Sequence, residues 1–439
     1  MAKEKFEKTV AFVSLGCDKN RVDTESIITT LFSHGFKVAS SAEDAQIIVI
    51  NTCAFLKSAR DEAHETMLEM LEFKKTSAEK IIVAGCLCQM DEKLKERYPE
   101  IDVFITPKDY GDIAKIIYGL YGLPYKTLNG TPDYRKITTP GHFAYLKIAD
   151  GCDNCCSYCT IPKIKGRYTS QPIEALVKTA TTLAKQGVKE LILVAQDITR
   201  YGIDLYKKQT LAELIKKLSA IKGIEWIRLH YCYPEMLTPQ IIDEIATNPK
   251  VVKYLDIPLQ HISTRVLHDM NRAGNEQSVR LVIELLRSKI PELVIRSTFI
   301  VGFPGETKAD FKFLIKFLKE YKLDAVGFFA YSQEEGTPSY SFPAQVSERE
   351  KQKRLKAAEK VQQKIATALN EKLIGTTQTV LCDGFDNNNN LWYGRNYGSS
   401  PDVDFVIYFE GPCNVGDFVQ VKIYDATAEY LLGEMENFA

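Results

Sequence analysis

Residues 151–162 read GCDNCCSYCTIP, and four of these twelve residues are cysteines. In one interpretation, the first two and the last two cysteines form the knuckles of a four-thiolate zinc site, although adjacent knuckles leave little chain to surround a tetrahedral metal. In the other, the spacing Cys152-x3-Cys156-x2-Cys159, with Tyr158 before the last cysteine, presents three thiolates. Three thiolates leave one iron of a four-iron cluster open.

The cysteine stretch follows the first of six strand-like apolar runs, which alternate with amphipathic helical patterns. The runs cover residues 143–148, 190–195, 226–231, 253–257, 294–300 and 325–331. Alternation of this kind predicts parallel strands with helical crossovers. A complete barrel has eight such units, so six predict a partial (βα)6 barrel.

This cysteine spacing, on a loop after the first strand of such a barrel, resembles the signature of radical S-adenosylmethionine (SAM) enzymes. The resemblance implies that Cys152, Cys156 and Cys159 hold a four-iron cluster, which binds SAM and cleaves it to a 5′-deoxyadenosyl radical. The resemblance and the catalytic face of such barrels place the other SAM contacts at the carboxyl ends of the strands. The expected contacts are Tyr158, Asp197, Gln260, Arg296 and Gly302.

The first 120 residues show a second, separate alternation of strand and helix. The strand-like runs, 9–15, 46–51, 80–84 and 102–105, are almost continuously apolar, which is typical of parallel strands covered on both faces. We therefore expect a small doubly wound α/β domain.

Three cysteines of this first domain, Cys17, Cys53 and Cys86, each follow one of its expected strands. Ligands bind at the carboxyl edge of such sheets, so we expect the three thiols to converge there. Three thiolates suit either a four-iron cluster with an open iron or a zinc ion with an open position. The pattern of residues leaves both open.

The last part of the chain changes character twice. Residues 347–373 form a long charged helical pattern, and about 65 residues of short strands with turn signals follow. These strands predict a small β-barrel. Residues 372–439 contain three basic and ten acidic residues, a net charge of −7, which leaves +6 on the rest of the chain. An acidic barrel disfavours nucleic acid and suits a basic protein partner.

Composition limits the remaining possibilities. The 439 residues carry a net charge of −1 and lack both a spanning apolar segment and a signal-peptide pattern, so we expect a cytoplasmic protein without a membrane partner. Eleven cysteines in a reducing compartment favour metal ligands over disulfides. The remaining cysteines receive no role from the sequence: Cys88, Cys155, Cys232, Cys382 and Cys413.

A three-cysteine α/β domain, a radical SAM barrel and a small terminal β-barrel, in this order, resemble the methylthiotransferase family. The resemblance implies domains at 6–123, 138–370 and 371–439, the last similar to a TRAM domain. It implies two 4Fe–4S clusters, one on Cys17, Cys53 and Cys86. It also implies SAM as both methyl donor and radical source, a sulfide or persulfide sulfur donor, and an electron donor such as flavodoxin or ferredoxin.

Two branches of that family differ in substrate. The strings VAQDITRYG, RLHYCYPEML and YLDIPLQHIS look like the RimO-type branch, which modifies the β-carbon of an aspartate in ribosomal protein S-twelve, either free or within the ribosome. The alternative is the MiaB-type branch, which modifies a tRNA adenosine. The acidic terminal barrel and Gln196-Asp197-Ile198, where that branch has a QNV-type string, count against tRNA. A non-catalytic metal-binding scaffold fits the strand-end motifs poorly.

Overall fold

The computed structural model describes residues 7–128 and 134–436. Residues 1–6, 129–133 and 437–439 lie outside this description, and they include both outer bounds of the expected domains. Contacts divide the chain into two compact units. Unit 1 comprises Met1–Thr138, Asp150–Asp153 and Cys159–Tyr168, and unit 2 comprises Thr139–Ala149, Asn154–Tyr158 and Thr169–Ala439.

Unit 1 contains a five-stranded parallel sheet in the order β2-β1-β3-β4-β5. Its strands are β1 (Thr9–Ser14), β2 (Lys37–Val38), β3 (Ile47–Thr52), β4 (Lys80–Gly85) and β5 (Val103–Ile105). Its helices are α1 (Asp18–Ser33), α2 (Lys57–Glu72), α3 (Cys86–Met90), α4 (Leu94–Arg97), α5 (Ile113–Leu120) and, from the cysteine loop, α6 (Ile161–Lys165).

Helices cover both faces of this sheet, which confirms the doubly wound fold. On one face, Ile27 of α1 and Ile117 of α5 pack against alternate strand residues such as Val49. On the other face, Met67 of α2 packs with Ile48. Because β3 is buried over its whole length, its apolar run at 47–50 is what this position requires.

Unit 2 begins with a six-stranded parallel sheet in the order β13-β12-β11-β10-β9-β6. The strands are β6 (Phe143–Lys147), β9 (Glu190–Val194), β10 (Trp226–Leu229), β11 (Val251–Asp256), β12 (Val294–Val301) and β13 (Ala325–Ala330). Two short strands, β7 (Ala149–Asp150) and β8 (Thr169–Ser170), accompany the cysteine loop. Since β6 and β13 are the two edges, the barrel is open, and the expected partial barrel is confirmed.

The helices of unit 2 lie mainly between these strands. They are α7 (Ile173–Lys185), α8 (Ile203–Tyr206), α9 (Leu211–Ser219), α10 (Pro239–Thr247), α11 (Thr264–Asp269), α12 (Glu276–Lys289), α13 (Lys308–Tyr321) and α14 (Glu348–Asn370). The last is the long charged helix expected from the sequence. No helix among the described residues has both the length and the apolarity needed to cross a membrane.

The terminal strands form a closed barrel in the order β14-β15-β16-β18-β17. They are β14 (Thr377–Asp386), β15 (Leu391–Arg395), β16 (Val406–Glu410), β17 (Phe418–Ala426) and β18 (Tyr430–Met435). The core of the barrel includes Val380, Phe409 and Leu431, so the expected small β-barrel is confirmed.

Buried ion pairs fasten this terminal barrel to the parallel sheet of unit 2. The carboxylate of Glu190, in β9, accepts from Arg228 at 2.7 Å and from Arg395 at 2.7 Å. Arg395 also donates to Asp383 at 2.7 Å, and Asp383 bonds His142 at 2.7 Å. All five side chains are largely buried, so one network joins β9, β10 and the terminal barrel.

Candidate functional site

The thiols of Cys17, Cys53 and Cys86 follow β1, β3 and β4, which are neighbours in the sheet of unit 1. Gly16, at φ +88°, lies so close to Cys53 that a Cβ atom there would be 2.6 Å from the Cys53 Cβ. Both other cysteines lie close enough to Cys86 to raise the pKa of its thiol electrostatically, in addition to the larger effect of burial. The structure therefore brings the three together at the carboxyl edge, where the sequence places them.

Burial governs the protonation of two of these thiols. It raises the pKa of Cys53, and it raises the pKa of Cys86 to about 12. Both are thus protonated thiols at neutral pH, and a metal that binds them must displace their protons. Cys17 is exposed at the start of α1.

The spacing of the three thiols bears on which metal they suit. A single zinc ion needs its ligand atoms within about 2.0–2.3 Å. In the parts of the chain that the structure describes, no three His, Cys, Asp or Glu residues converge tightly enough to hold one metal ion. A four-iron cluster binds each thiolate through a different iron. Three thiols that follow three neighbouring strands can each meet a different iron of such a cluster.

A buried lysine lies beside this cluster of thiols. The Nζ of Lys165, in α6, is 3.1 Å from the Asp23 carboxylate and 3.5 Å from that of Asp150. Burial opposes its charge, but the two carboxylates raise the pKa of Lys165 above its ordinary value. Its charge also acts on Cys86. Sequence reasoning missed Lys165, because its partner Asp23 lies 142 positions away and gives no local signal.

The cysteines of the 151–162 stretch are held by separate sets of contacts. In unit 1, the backbone N–H of Cys152 donates to the Gly166 carbonyl at 3.2 Å, and the Cys159 sulfur accepts from the Ile161 N–H at 3.4 Å. In unit 2, the Cys156 sulfur lies 3.4 Å from the Tyr233 hydroxyl. The chain itself keeps the three thiols within eight positions.

The neighbour of Cys156 is itself packed by a buried cation. The guanidinium of Arg272 lies 3.7 Å from the centre of the Tyr233 ring and donates to the Pro258 carbonyl at 2.8 Å. Such cation–π contacts strengthen when they are desolvated. Sequence reasoning assigned no role to Tyr233 or Arg272, although Tyr233 lies in the strand-end string HYCYP.

Two of the expected SAM contacts, Asp197 and Tyr158, are held in place by neighbouring side chains. Asp197, after β9, is fully buried, and its carboxylate accepts from Asn154 at 3.0 Å, which ties the cysteine stretch to the strand end. Tyr158 packs edge-on against Phe303, with ring centres 6.5 Å apart.

Two others lie on turns with left-handed backbone. Gln260, after β11, has φ +70° and bonds the backbone of Thr298. Gly302, after β12, has φ +74°, and a Cβ there would be 2.5 Å from the Lys351 side chain, so only glycine fits. The amides of Gly302 and Phe303 donate to the carboxylate of Glu306, which Arg354 also contacts at 2.9 Å.

Arg296 is placed differently from the other expected contacts. It is the third residue of β12, and its guanidinium is 3.1 Å from Asp256 and 3.4 Å from Asp404 of the terminal barrel. Three expected contacts, Asp197, Gln260 and Gly302, follow their strands at the carboxyl edge. Arg296 lies within its strand and is occupied by two carboxylates.

Other cysteines have local explanations. The Cys88 thiol donates to the Val83 carbonyl at 3.4 Å, and Cys382 is buried in the core of the terminal barrel. Cys232 is fully buried, and Cys155 is exposed at φ +50°.

The class of the protein follows from fold and motif together. Residues 146–318 match the Radical SAM superfamily, 374–435 match the TRAM domain, and 9–106 match a family described only as uncharacterized protein family UPF0004. A radical SAM methyltransferase, TsrM from Kitasatospora setae, shares the fold, with a TM-score of 0.56 and 13% identity, over 86% of this chain and 79% of that one. The chain is a radical SAM protein.

Full-length relatives define the family more closely. A protein of Clostridium botulinum named ribosomal protein uS12 methylthiotransferase RimO is 44% identical over 98% of each chain. The protein of the same name from Clostridium kluyveri is 45% identical over 97% of each chain. The one from Acetivibrio thermocellus is 41% identical over 98% of this chain and 99% of that one. The chain belongs to the RimO family of radical SAM methylthiotransferases.

Proposed function

We propose that this protein is a SAM-dependent methylthiotransferase that replaces a hydrogen on the β-carbon of an aspartate in ribosomal protein uS12 (S-twelve) with a methylthio group. The observation that carries this proposal is the identity of 41–45% with relatives named for this activity, over 97–98% of the chain. The acidic terminal domain supports a basic ribosomal protein as substrate, rather than the tRNA adenosine of the alternative branch.

The cofactors follow from the class and from the donor sets. The radical SAM match supports SAM and an iron–sulfur cluster, which we assign to Cys152, Cys156 and Cys159. We assign a second 4Fe–4S cluster to Cys17, Cys53 and Cys86. When bound, the clusters supply the electron that cleaves SAM and an open metal position for sulfur from sulfide or persulfide. A flavodoxin or ferredoxin would supply the electrons, and the cytoplasm is where a ribosomal substrate is found.

The side chains around these thiols have positioning tasks. Asp197 holds Asn154 and thereby the middle of the cysteine loop. Glu306 accepts from the amides after β12 and so fixes the turn there. Gly302 lies in this turn, at a point where any side chain would collide with Lys351. Both carboxylates are buried, and such preorganised polar contacts keep a site in one geometry.

A substrate competition tests the proposal. The protein is reconstituted anaerobically with iron and sulfide and given SAM, reductant, a uS12-derived peptide and anticodon-loop RNA in equal amounts. Mass spectrometry should detect a methylthio group on the peptide aspartate alone. Modification of the RNA alone would transfer the assignment to the tRNA branch. Product on neither substrate would contradict the proposed activity.

Paired cysteine variants separate the two proposed clusters. Cys156→Ala should abolish formation of 5′-deoxyadenosine, whereas its exposed neighbour variant Cys155→Ala should retain it. Cys86→Ala should retain 5′-deoxyadenosine but form no methylthiolated peptide, because sulfur delivery needs the first cluster. Its control is Cys88→Ala, since the Cys88 thiol bonds a backbone carbonyl. Full product from Cys86→Ala would refute the division of labour.

A further inference from the structure

Five lysines meet in one groove on the helical surface of unit 2. The groove has a volume of about 470 Å³ and contains Lys319, Lys322, Lys360, Lys364 and Lys372, which we call the lysine groove. The remaining residues that line it are aliphatic, among them Val361 and Leu369, and none is acidic. All five lysines are exposed.

Four of the five acidic residues of the flanking helices are engaged elsewhere, and the fifth, the exposed Glu359 of α14, does not line the groove. Asp310 and Glu320 of α13 pair with Arg265 and Arg280, and Glu320 lies 2.9 Å from its partner. In α14, Glu348 pairs with Lys351 at 3.5 Å and Glu350 with Arg354 at 3.1 Å. Lys372 also acts on the carboxylate of Asp324. The groove therefore presents its positive charge to solvent.

Local helix chemistry explains part of this arrangement. Lys319 and Lys322 lie at the end of α13, where cations interact favourably with the unpaired helix carbonyls. Lys360 and Lys364, however, are one turn apart on α14, and like charges at that spacing destabilise a helix. The groove combines lysines from three places: the end of α13, α14 and the turn after α14. The stability of any one helix does not explain why they lie together.

The chemistry of the groove points to a polyanion as its partner. Lysines are point charges that bind phosphate, and neighbouring lysines on α14 are spaced by about 6 Å along the helix axis. Resting on the proposed function, we propose that the lysine groove binds the phosphate backbone of structured RNA, namely the ribosomal RNA around the uS12 substrate. An assembled ribosomal protein is surrounded by RNA, whereas a free one is not.

The charge distribution along the chain agrees with two separate contacts. The last 68 residues carry a net charge of −7, and four of the five groove lysines lie on the part of the chain with the opposite sign. Phosphate contacts dominate the affinity of proteins for nucleic acid, so an acidic barrel cannot supply them. The lysine groove holds RNA, while the acidic barrel contacts the basic protein substrate.

Binding of a short labelled RNA duplex to the reconstituted full-length protein, followed by fluorescence anisotropy at several salt concentrations, tests this directly. Lys360→Glu with Lys364→Glu should weaken binding at least about tenfold. It should also reduce the slope of log Kd against log salt by about 2, since two phosphate contacts are lost. The matched control is Lys108→Glu with Lys115→Glu, two exposed lysines of unit 1, which makes the same change in net charge.

Several outcomes would overturn the proposal. Absence of duplex binding by the wild-type protein would do so, as would equal weakening in the control variant, which would indicate net charge alone. Competition by polyglutamate as effective as that by RNA would identify an acidic protein as the partner.

Activity supplies an independent readout. Methylthiolation of the isolated uS12 peptide should be unchanged in the groove variant, while kcat/KM on assembled small ribosomal subunits should fall. Failure of the proposed function removes both activities from the wild-type protein but leaves the RNA-binding result intact, so the two failures are distinguishable. An unchanged kcat/KM on subunits would count against ribosomal RNA as the partner.

Discussion

Lys165 is the residue whose importance depends most on its surroundings. Its ammonium group is buried between Asp23 and Asp150 and acts on the thiol of Cys86. Removing one partner of a buried ion pair costs about 3–5 kcal/mol, because the other charge is left without compensation. Here the uncompensated charges would be carboxylates beside three thiols that metal binding must deprotonate.

We therefore expect Lys165→Met to lower both the thermal midpoint and the iron bound per chain after anaerobic reconstitution. Lys163→Met is the matched control, because Lys163 is exposed on the same short helix. Iron content and calorimetry measure the two effects. Wild-type iron content in Lys165→Met would show that the lysine is not needed for loading the first cluster.

The cysteines of unit 1 could be placed from the sequence, whereas Lys165 could not. Cys17, Cys53 and Cys86 each follow an apolar run, and the topology of a parallel sheet converts that position into proximity. Tyr233 and Lys165 depend instead on chain segments that meet only in the folded protein. The pairing of Lys165 with Asp23 spans 142 positions.

Among the structural elements, the strands were predicted to within a few residues at each end. The exceptions are the two-residue strands β2, β7 and β8, which are too short to show an apolar run. The segment 396–404, NYGSSPDVD, has the composition of an exposed loop, yet Ser399 and Ser400 are buried. Hydrogen bonds hold it: Ser400 bonds His230 at 2.9 Å, and Tyr254 donates to Asp404 at 2.7 Å. Composition cannot reveal such a set of long-range partners.

The network that fastens the terminal barrel should make stability depend on acid pH. Burial raises the pKa of Asp383, but the hydrogen bond from His142 and the charge of Arg395 lower it more. The net result is a pKa below the usual value of about 3.9. A carboxylate with a depressed pKa contributes stability above its unfolded pKa and loses it as the pH falls through its folded pKa.

We expect stability to be roughly level from neutral pH to about pH 5 and to fall below about pH 4. Asp383→Asn should lower the midpoint of urea unfolding at neutral pH and flatten this acid decline, because the titrating group is gone. Urea unfolding of both proteins across this range measures the difference. An equally steep decline in the variant would assign the effect to other carboxylates.

At the scale of the whole molecule, only some of the ten acidic residues at 372–439 are available to a partner. Asp383 and Asp404 belong to buried pairs, so they do not face a partner. The exposed acids include Glu410 and Glu434, which lie opposite each other on β16 and β18. Burial and the charges of Glu410, Glu434 and Asp425 raise the pKa of Tyr424, which is 51% exposed. An aromatic ring among carboxylates suits a basic peptide.

Neutralising that pair tests whether the acidic barrel captures the substrate. Glu410→Gln with Glu434→Gln should raise KM for a basic uS12 peptide several-fold and leave kcat unchanged, because rim charges act mainly on encounter. The difference should shrink at high salt, where screening shortens electrostatic range to a few ångströms. Glu434 lies opposite both Glu410 on β16 and Lys422 on β17, so the variant loses one repulsive and one attractive cross-strand pair and should be about as stable as wild type. A higher KM with an unchanged unfolding midpoint then reports on substrate capture. Glu65→Gln with Glu69→Gln, on exposed positions of α2, removes the same charge elsewhere and should leave KM unaltered. Equal KM values for both double variants would place substrate capture outside the terminal barrel.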